Sequence, residues 1–217
     1  MRRPSGACSC RQEPSTLPLA NFSQVLKGLR ALHDEEIMHR DLKSANVFLN
    51  TDLSVKLGDL NVSKIAKMGM NYTQTGTPYY ASPEVWREQP YDMKSDVWSL
   101  GCVIYEMLAL KPPFRAQNMK ELYKKVLRGN FPTVPSQFSD ELGKTIASMI
   151  QVNPKHRPTC AELLEKDHIK EKLLLYFPDE NGHSNDRSYG TFDSVIDRAS
   201  NRVRISIHLP SNIELEI

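Results

Sequence analysis

The segment Ser95–Leu110 constrains the fold most, because its apolar residues surround a whole helix instead of covering one face. When hydrophobic side chains lie on every side of a helix, they are removed from water only if the whole helix is buried. The rest of the chain must therefore fold around this helix. We expect Ser95 or Asp96 to cap its start and Pro112 to help end it. Its apolar residues are Val97, Trp98, Leu100, Val103, Ile104, Tyr105, Met107 and Leu108.

The flanking segments predict further helices and one small hairpin. Apolar residues recur at helical spacing from Phe22 to His33, which is typical of a helix with one buried face. The short apolar runs Val47–Leu49 and Ser54–Leu57 are separated by turn-forming residues and predict a β-hairpin. These patterns favour a mainly α fold. The other predicted helices run over Asn118–Leu127, from Ser139, and over Cys160–Phe177.

Both ends of the chain differ in composition from its centre. Residues 1–21 hold prolines, glycine and serines without periodicity, so we expect them to be disordered. Residues 22–177 form the predicted domain, and residues 178–217 a polar tail. At its end, residues 203–209 and 213–217 alternate in polarity. They predict either a terminal β-hairpin on a partner surface or disorder, since an isolated hairpin is marginal in water.

The overall composition excludes several classes of protein. The 217 residues carry a formal net charge of only +2 and no basic stripe, so nothing predicts a nucleic-acid surface. The apolar runs are too short to cross a bilayer about 30 Å thick. The four cysteines show no disulfide framework and the start lacks a signal peptide, which predicts a reducing, intracellular location.

The eight residues His39–Asn46 carry the chemistry. They gather an acid, two cations and an amide, a set that suits phosphoryl transfer. The carboxylate of Asp41 can accept the proton of an attacking hydroxyl. Lys43 can neutralise charge on the transferred group, and the amide oxygen of Asn46 can hold a metal ion.

This segment resembles the catalytic loop of protein kinases, and we use that name for it below. Lys43, two residues after Asp41, is similar to the serine/threonine version. Several motifs together resemble the NIMA-related (Nek) serine/threonine kinases, with the match covering about Phe22 to Phe177. The motifs are Ile37–Asn46, Gly76–Tyr80 and Lys94–Cys102.

The resemblance implies a fold, an activity and ligands. It implies the C-lobe of the kinase fold, ATP and Mg²⁺ as cofactors, and serine or threonine residues of proteins as substrates. Asp59 would be the second magnesium ligand, although Leu60-Asn61 follows it where most kinases have Phe-Gly. Asn is a mild replacement, because it adopts left-handed backbone angles at low cost. By resemblance, the protein acts in the cytoplasm or at a centrosome, basal body or cilium.

The resemblance also assigns regulatory and structural residues. The threonine-rich segment before Glu84 is similar to a kinase activation segment. Phosphate on Thr73, or second on Thr75, would give Arg40 a partner, and Thr77 would hydrogen-bond Asp41 and Lys43 and shape the peptide-binding surface. An acid at Asp96 would brace the backbone of the catalytic loop. We also expect Arg157 to pair with Glu84.

One part of the kinase pattern is missing from these residues. No two glycines stand two apart, and Lys27 is the only lysine before the catalytic loop, so a glycine-rich phosphate loop and a strand lysine are lacking. We expect a C-lobe whose N-lobe is absent, as in a truncated sequence. Two functions follow: a serine/threonine kinase of the Nek group, or a catalytically silent binding module or decoy. A lobe supplied by another chain is a third, minor option.

Overall fold

The computed structural model describes residues 16–49, 55–61, 78–176, 192–197 and 202–207. Side chains are described for residues 21–49, 55–58 and 78–171. The predicted roles of Thr73, Thr75 and Thr77 lie outside the described residues, as do residues 1–15 and 208–217.

The predicted central helix is α3, Met93–Ala109, and none of its residues is exposed. Its cap was predicted wrongly: Asp92, and neither Ser95 nor Asp96, accepts a hydrogen bond from the backbone N–H of Lys94. The helix ends at Leu110, which takes a left-handed conformation at φ 55° and closes the helix ahead of the two prolines. The centre of the core is therefore set by α3.

The first helix, α1, runs over Thr16–Asp34 and begins six residues before the predicted Phe22. Pro18 was counted as a sign of disorder, but it lies in the first turn. There its missing N–H has no partner within the helix in any case, so proline is tolerated. The buried face follows the predicted periodicity through Phe22, Val25, Leu26, Leu29 and Leu32.

The remaining helices mostly follow the sequence signals. The predicted cap Ser139 is confirmed, since its hydroxyl accepts from the N–H of Leu142. No helix in the described ranges is long and apolar enough to cross a membrane. The helices are α2 (Pro83–Trp86), α4 (Met119–Arg128), α5 (Asp140–Met149), α6 (Cys160–Leu164) and α7 (Asp167–Tyr176), with 3₁₀ turns at Ser44–Asn46 and Pro154–His156. Of these helices, α5 packs on α3, whereas α6 and α7 pack on α1.

The predicted hairpin is confirmed: β1 (Val47–Leu49) pairs antiparallel with β2 (Val55–Asn61). Two strands of the tail, β3 (Phe192–Asp197) and β4 (Arg202–Ile207), extend it to a sheet of order β1-β2-β4-β3. The tail strand predicted from residue 203 thus exists. Its partners are β2 and the upstream β3, whereas the predicted second strand, residues 213–217, lies outside the described residues.

Candidate active site

The backbone of the catalytic loop is anchored to α3 through Asp96. The Asp96 carboxylate accepts the backbone N–H groups of His39 at 2.8 Å and Arg40 at 2.9 Å, and it also contacts His33 Nε2 at 3.0 Å. Arg40 has φ 67°, in the left-handed region, which costs a non-glycine residue about 1–2 kcal/mol. Two hydrogen bonds to a buried carboxylate offset that strain, so the predicted bracing by Asp96 is confirmed.

The structure brings Asp41, Lys43 and Asn46 together. Lys43 Nζ lies 2.9 Å from Asp41 Oδ2, and both side chains keep about a quarter to a third of their surface in water. Asn46 is 5% exposed, and its Nδ2 donates to the main-chain oxygen of Asp41 at 2.8 Å. Because the amide nitrogen of Asn46 points to the loop, its amide oxygen remains as the atom that a cation could bind.

His39, just before this group, is fully buried. Burial disfavours the charged imidazolium and lowers the pKa of His39, and the nearby carboxylates of Asp96 and Asp41 offset this only in part. His39 is therefore neutral at pH 7. Its neutral ring is buried beneath the loop surface and adds no positive charge beside Asp41.

The backbone places Asp59 next to the catalytic loop. Val47, which follows Asn46 directly, pairs with Leu57, two residues before Asp59. On the other edge of β2 the register is irregular, because Leu57 pairs with Ile205 and Leu60 with Val203. Between these two pairs the chain advances three residues on β2 but only two on β4. The extra residue is a β-bulge at Gly58-Asp59, a feature common beside active sites.

Gly58 allows a close approach at that point. A Cβ there would lie 2.4 Å from Cε2 of Phe48, so only glycine leaves room for the present position of that ring. Phe48 remains 52% exposed and Leu49 55% exposed. Because consecutive side chains of a strand point to opposite faces, β1 leaves one apolar side chain open to solvent on each face, directly after the charged loop.

The predicted pair of Arg157 with Glu84 is confirmed. Arg157 makes two contacts with the carboxylate, Nη1 to Oε1 at 2.6 Å and Nη2 to Oε2 at 2.7 Å. Burial alone would raise the pKa of Glu84, but the hydrogen bonds from Arg157 and Ser95 outweigh it and hold the pKa below its ordinary value. The ion pair joins α2 to the segment after α5.

The sequence analysis missed Ser44, Tyr80 and Glu106. Their side chains form a chain of hydrogen bonds between the catalytic loop and α3. A signal was present in the sequence: Asp96, Ser99 and Glu106 are polar residues on an otherwise apolar helix, at spacings that share one face. Polar groups in such a position need specific partners.

Comparison with known protein families agrees with this geometry. Residues 18–169 match the protein kinase domain family. The chain therefore belongs to the protein kinase family.

Several similar proteins carry Nek names. The chain is 45% identical over 161 residues to the probable serine/threonine-protein kinase nek3 of Dictyostelium discoideum, and 41% over 154 residues to serine/threonine-protein kinase Nek1 of Mus musculus. It is 40% identical over 157 residues to Nek4 of Mus musculus. The matches cover 70–71% of this chain but only 13–20% of those relatives. They confirm the resemblance to NIMA-related serine/threonine kinases.

Proposed function

We propose that this protein transfers the γ-phosphate of ATP to serine or threonine hydroxyls of protein substrates. The observation that carries the proposal is the grouping of Asp41, Lys43 and Asn46 on a loop braced by Asp96. Asp41 accepts the proton of the attacking hydroxyl. Lys43, 2.9 Å from it, stabilises negative charge on the transferred group.

Asn46 and Asp59 suit Mg²⁺ as ligands. Oxygen donors are what this ion prefers, and the hydrogen bond from Asn46 Nδ2 to Asp41 presents the amide oxygen instead of the nitrogen. The β-bulge at Gly58-Asp59 favours Asp59 as the second ligand, next to Asn46. When bound, Mg²⁺ neutralises and orients the phosphates. Asn46 has a further task, since it fixes the main chain of Asp41.

The described helices would correspond to the C-lobe of a kinase, with the exposed ring of Phe48 facing the other half of a nucleotide site. The exposure of Phe48 and Leu49 also favours a second candidate, a silent binding module or decoy that covers these apolar side chains with another polypeptide. The two candidates differ in one property: only the first needs the Asp41 carboxylate.

Control by phosphorylation forms part of the proposal. By the family resemblance, a phosphate on Thr73, or second on Thr75, would pair with the guanidinium of Arg40 and bring it about 1.5 to 2 negative charges. The predicted contacts of Thr77 with Asp41 and Lys43 stay a prediction. So does the cytoplasmic or cytoskeletal location.

The test is transfer of labelled γ-phosphate from MgATP to a generic protein substrate by the full chain and two variants. Asp41→Asn keeps the shape but removes the base. Asp34→Asn is the matched control, because Asp34 makes only an exposed ion pair with Arg30, which is worth little.

We expect transfer by the unchanged chain and by Asp34→Asn, and its loss in Asp41→Asn. Equal transfer by all three would point to a contaminating kinase and refute the role of Asp41. No transfer by a chain shown to be folded by near-UV circular dichroism would refute kinase activity for this polypeptide and favour the binding module.

A further inference from the structure

The catalytic loop is tied to α3 at two places, and the second tie does not involve Asp96. Asp96 holds the start of the loop at His39 and Arg40. Ten residues further along the same helix, Glu106 reaches Ser44 near the end of the loop through the side chain of Tyr80. Ten helical residues span about 15 Å. A single rigid helix therefore sets the positions of both ends of the loop.

The polar residues of α3 that make these contacts share one face. Asp96, Ser99 and Glu106 are spaced i, i+3 and i+10, which places them within about 80° of arc at 100° per residue. Ser99 Oγ donates to the main-chain oxygen of Tyr80 at 2.9 Å. Tyr80 is therefore held by α3 twice, once through its backbone and once through its hydroxyl.

The direction of the hydrogen bonds follows from the chemistry of Tyr80. Burial, and then the hydrogen bond to Glu106, raise the pKa of Tyr80 to about 12, so the phenol keeps its proton at pH 7. Its Oη lies 2.5 Å from Glu106 Oε2 and 2.8 Å from Ser44 Oγ. A carboxylate can only accept, so Tyr80 donates to Glu106 and Ser44 donates to Tyr80.

We infer that Ser44 and Tyr80 are positioning residues for phosphoryl transfer, which rests on the proposed kinase function. Ser44 begins the 3₁₀ turn Ser44–Asn46, directly after Lys43. Ser44 is exposed whereas Asn46 at the end of the turn is buried, and the Ser44 hydroxyl is what ties the start of the turn to Tyr80. The bridge from Ser44 through Tyr80 to Glu106 fixes the turn, and with it Lys43 and Asn46, relative to Asp41.

The experiment compares Ser44→Ala, Ser44→Thr, Tyr80→Phe and the double variant Ser44→Ala/Tyr80→Phe in the full chain. Tyr80→Phe keeps the ring but removes both hydrogen bonds of the hydroxyl. Ser44→Thr keeps a hydroxyl and tests rescue. The matched control is Tyr91→Phe, which deletes the same atom from an exposed ring outside the bridge.

The first readout is amide hydrogen exchange, which does not require activity. We expect peptides covering 39–49 to exchange about fivefold faster in Ser44→Ala, as for the loss of one hydrogen bond. Exchange in Tyr80→Phe should rise at least as much, and the double variant should equal Tyr80→Phe, because the two changes break the same bridge. Ser44→Thr should restore protection, while Tyr91→Phe and peptides from α3 should match the unchanged chain.

The second readout is kinetics. Ser44→Ala should lower kcat about fivefold with the KM for MgATP unchanged, since the loss falls on positioning of the loop and not on ground-state binding. Unchanged exchange over 39–49 in Ser44→Ala and Tyr80→Phe, or fully additive effects, would overturn the bridge. Faster exchange with unchanged kcat would overturn its role in transfer. Absence of transfer by the unchanged chain would refute the proposed function instead, and exchange alone would then decide whether the bridge braces the loop.

Discussion

Removing Arg157 should destabilise the protein far more than an average substitution. Arg157 is 1% exposed. Besides its two bonds to Glu84, its guanidinium donates to three main-chain oxygens, those of Gln151, Lys94 and Val152. Every N–H of the group thus has an acceptor. Arg157→Met keeps an unbranched apolar stem but removes the guanidinium, whose Cζ lies 5.0 Å from the centre of the Trp98 ring. It also leaves the Glu84 carboxylate buried with Ser95 as its remaining side-chain donor.

The expected loss follows from that stranded carboxylate. Breaking one partner of a buried ion pair costs about 3–5 kcal/mol. A domain is stabilised by about 5–15 kcal/mol in total, so the variant should lie near the limit of folding at 37 °C. Glu84→Gln should also destabilise, because it leaves the buried guanidinium of Arg157 without a counter-charge, although three main-chain oxygens still accept hydrogen bonds from that group.

Urea denaturation of the full chain measures these values as free energies of unfolding. We expect Arg157→Met to lose about 3–5 kcal/mol. The double variant Arg157→Met/Glu84→Gln should be less destabilised than the sum of the two single variants by about 1–3 kcal/mol, because the residues share one interaction. A loss below about 1 kcal/mol for Arg157→Met would refute the reasoning.

The pH dependence gives a second check with a definite sign. In the unchanged protein the pKa of Glu84 is lowered, so ionised Glu84 contributes stability above its unfolded pKa, and this is lost as pH falls through the folded pKa. In Arg157→Met only the hydrogen bonds from Ser95 and from the backbone at Glu84 oppose the effect of burial, so the pKa of Glu84 should rise instead. The stability gap between the two proteins should therefore shrink as pH falls from 7 through the acidic range. A gap that widens would contradict the role of Glu84.

Three further predictions concern other parts of the molecule. Gly101→Ala should destabilise by about 1–3 kcal/mol in urea, because its Cβ would lie 2.9 Å from Ile150 Cγ1; equal stability would show that the core yields. Deleting residues 192–217 removes β4, so amides of β2 should exchange faster; unchanged protection would contradict the β2–β4 pairing. Thr73→Ala should lower kcat in a form that shows transfer, and unchanged turnover would remove Thr73 from activation.

Local patterns in the sequence were sufficient for most elements. The all-round apolar pattern of α3, the periodicity of α1 and the Ser139 cap depend on residues within one or two turns, and they predicted helices that the structure contains. The order of residues in the catalytic loop likewise indicated a cluster of Asp41, Lys43 and Asn46, which the structure contains. The pairing of Arg157 with Glu84 came from resemblance, since nothing local joins residues 73 positions apart.

Long-range contacts decided the rest. Asp96 was one of the two predicted helix caps, but it instead accepts the backbone N–H groups of His39 and Arg40, more than fifty residues away, and Asp92 caps the helix. The pairing of β4 with β2 and the bridge from Ser44 to Glu106 arise in the same way. Sequence alone determined which segments form helices and which groups can do chemistry. The tertiary structure determined their partners, because the choice of a hydrogen-bond partner depends on which surfaces meet when the chain folds.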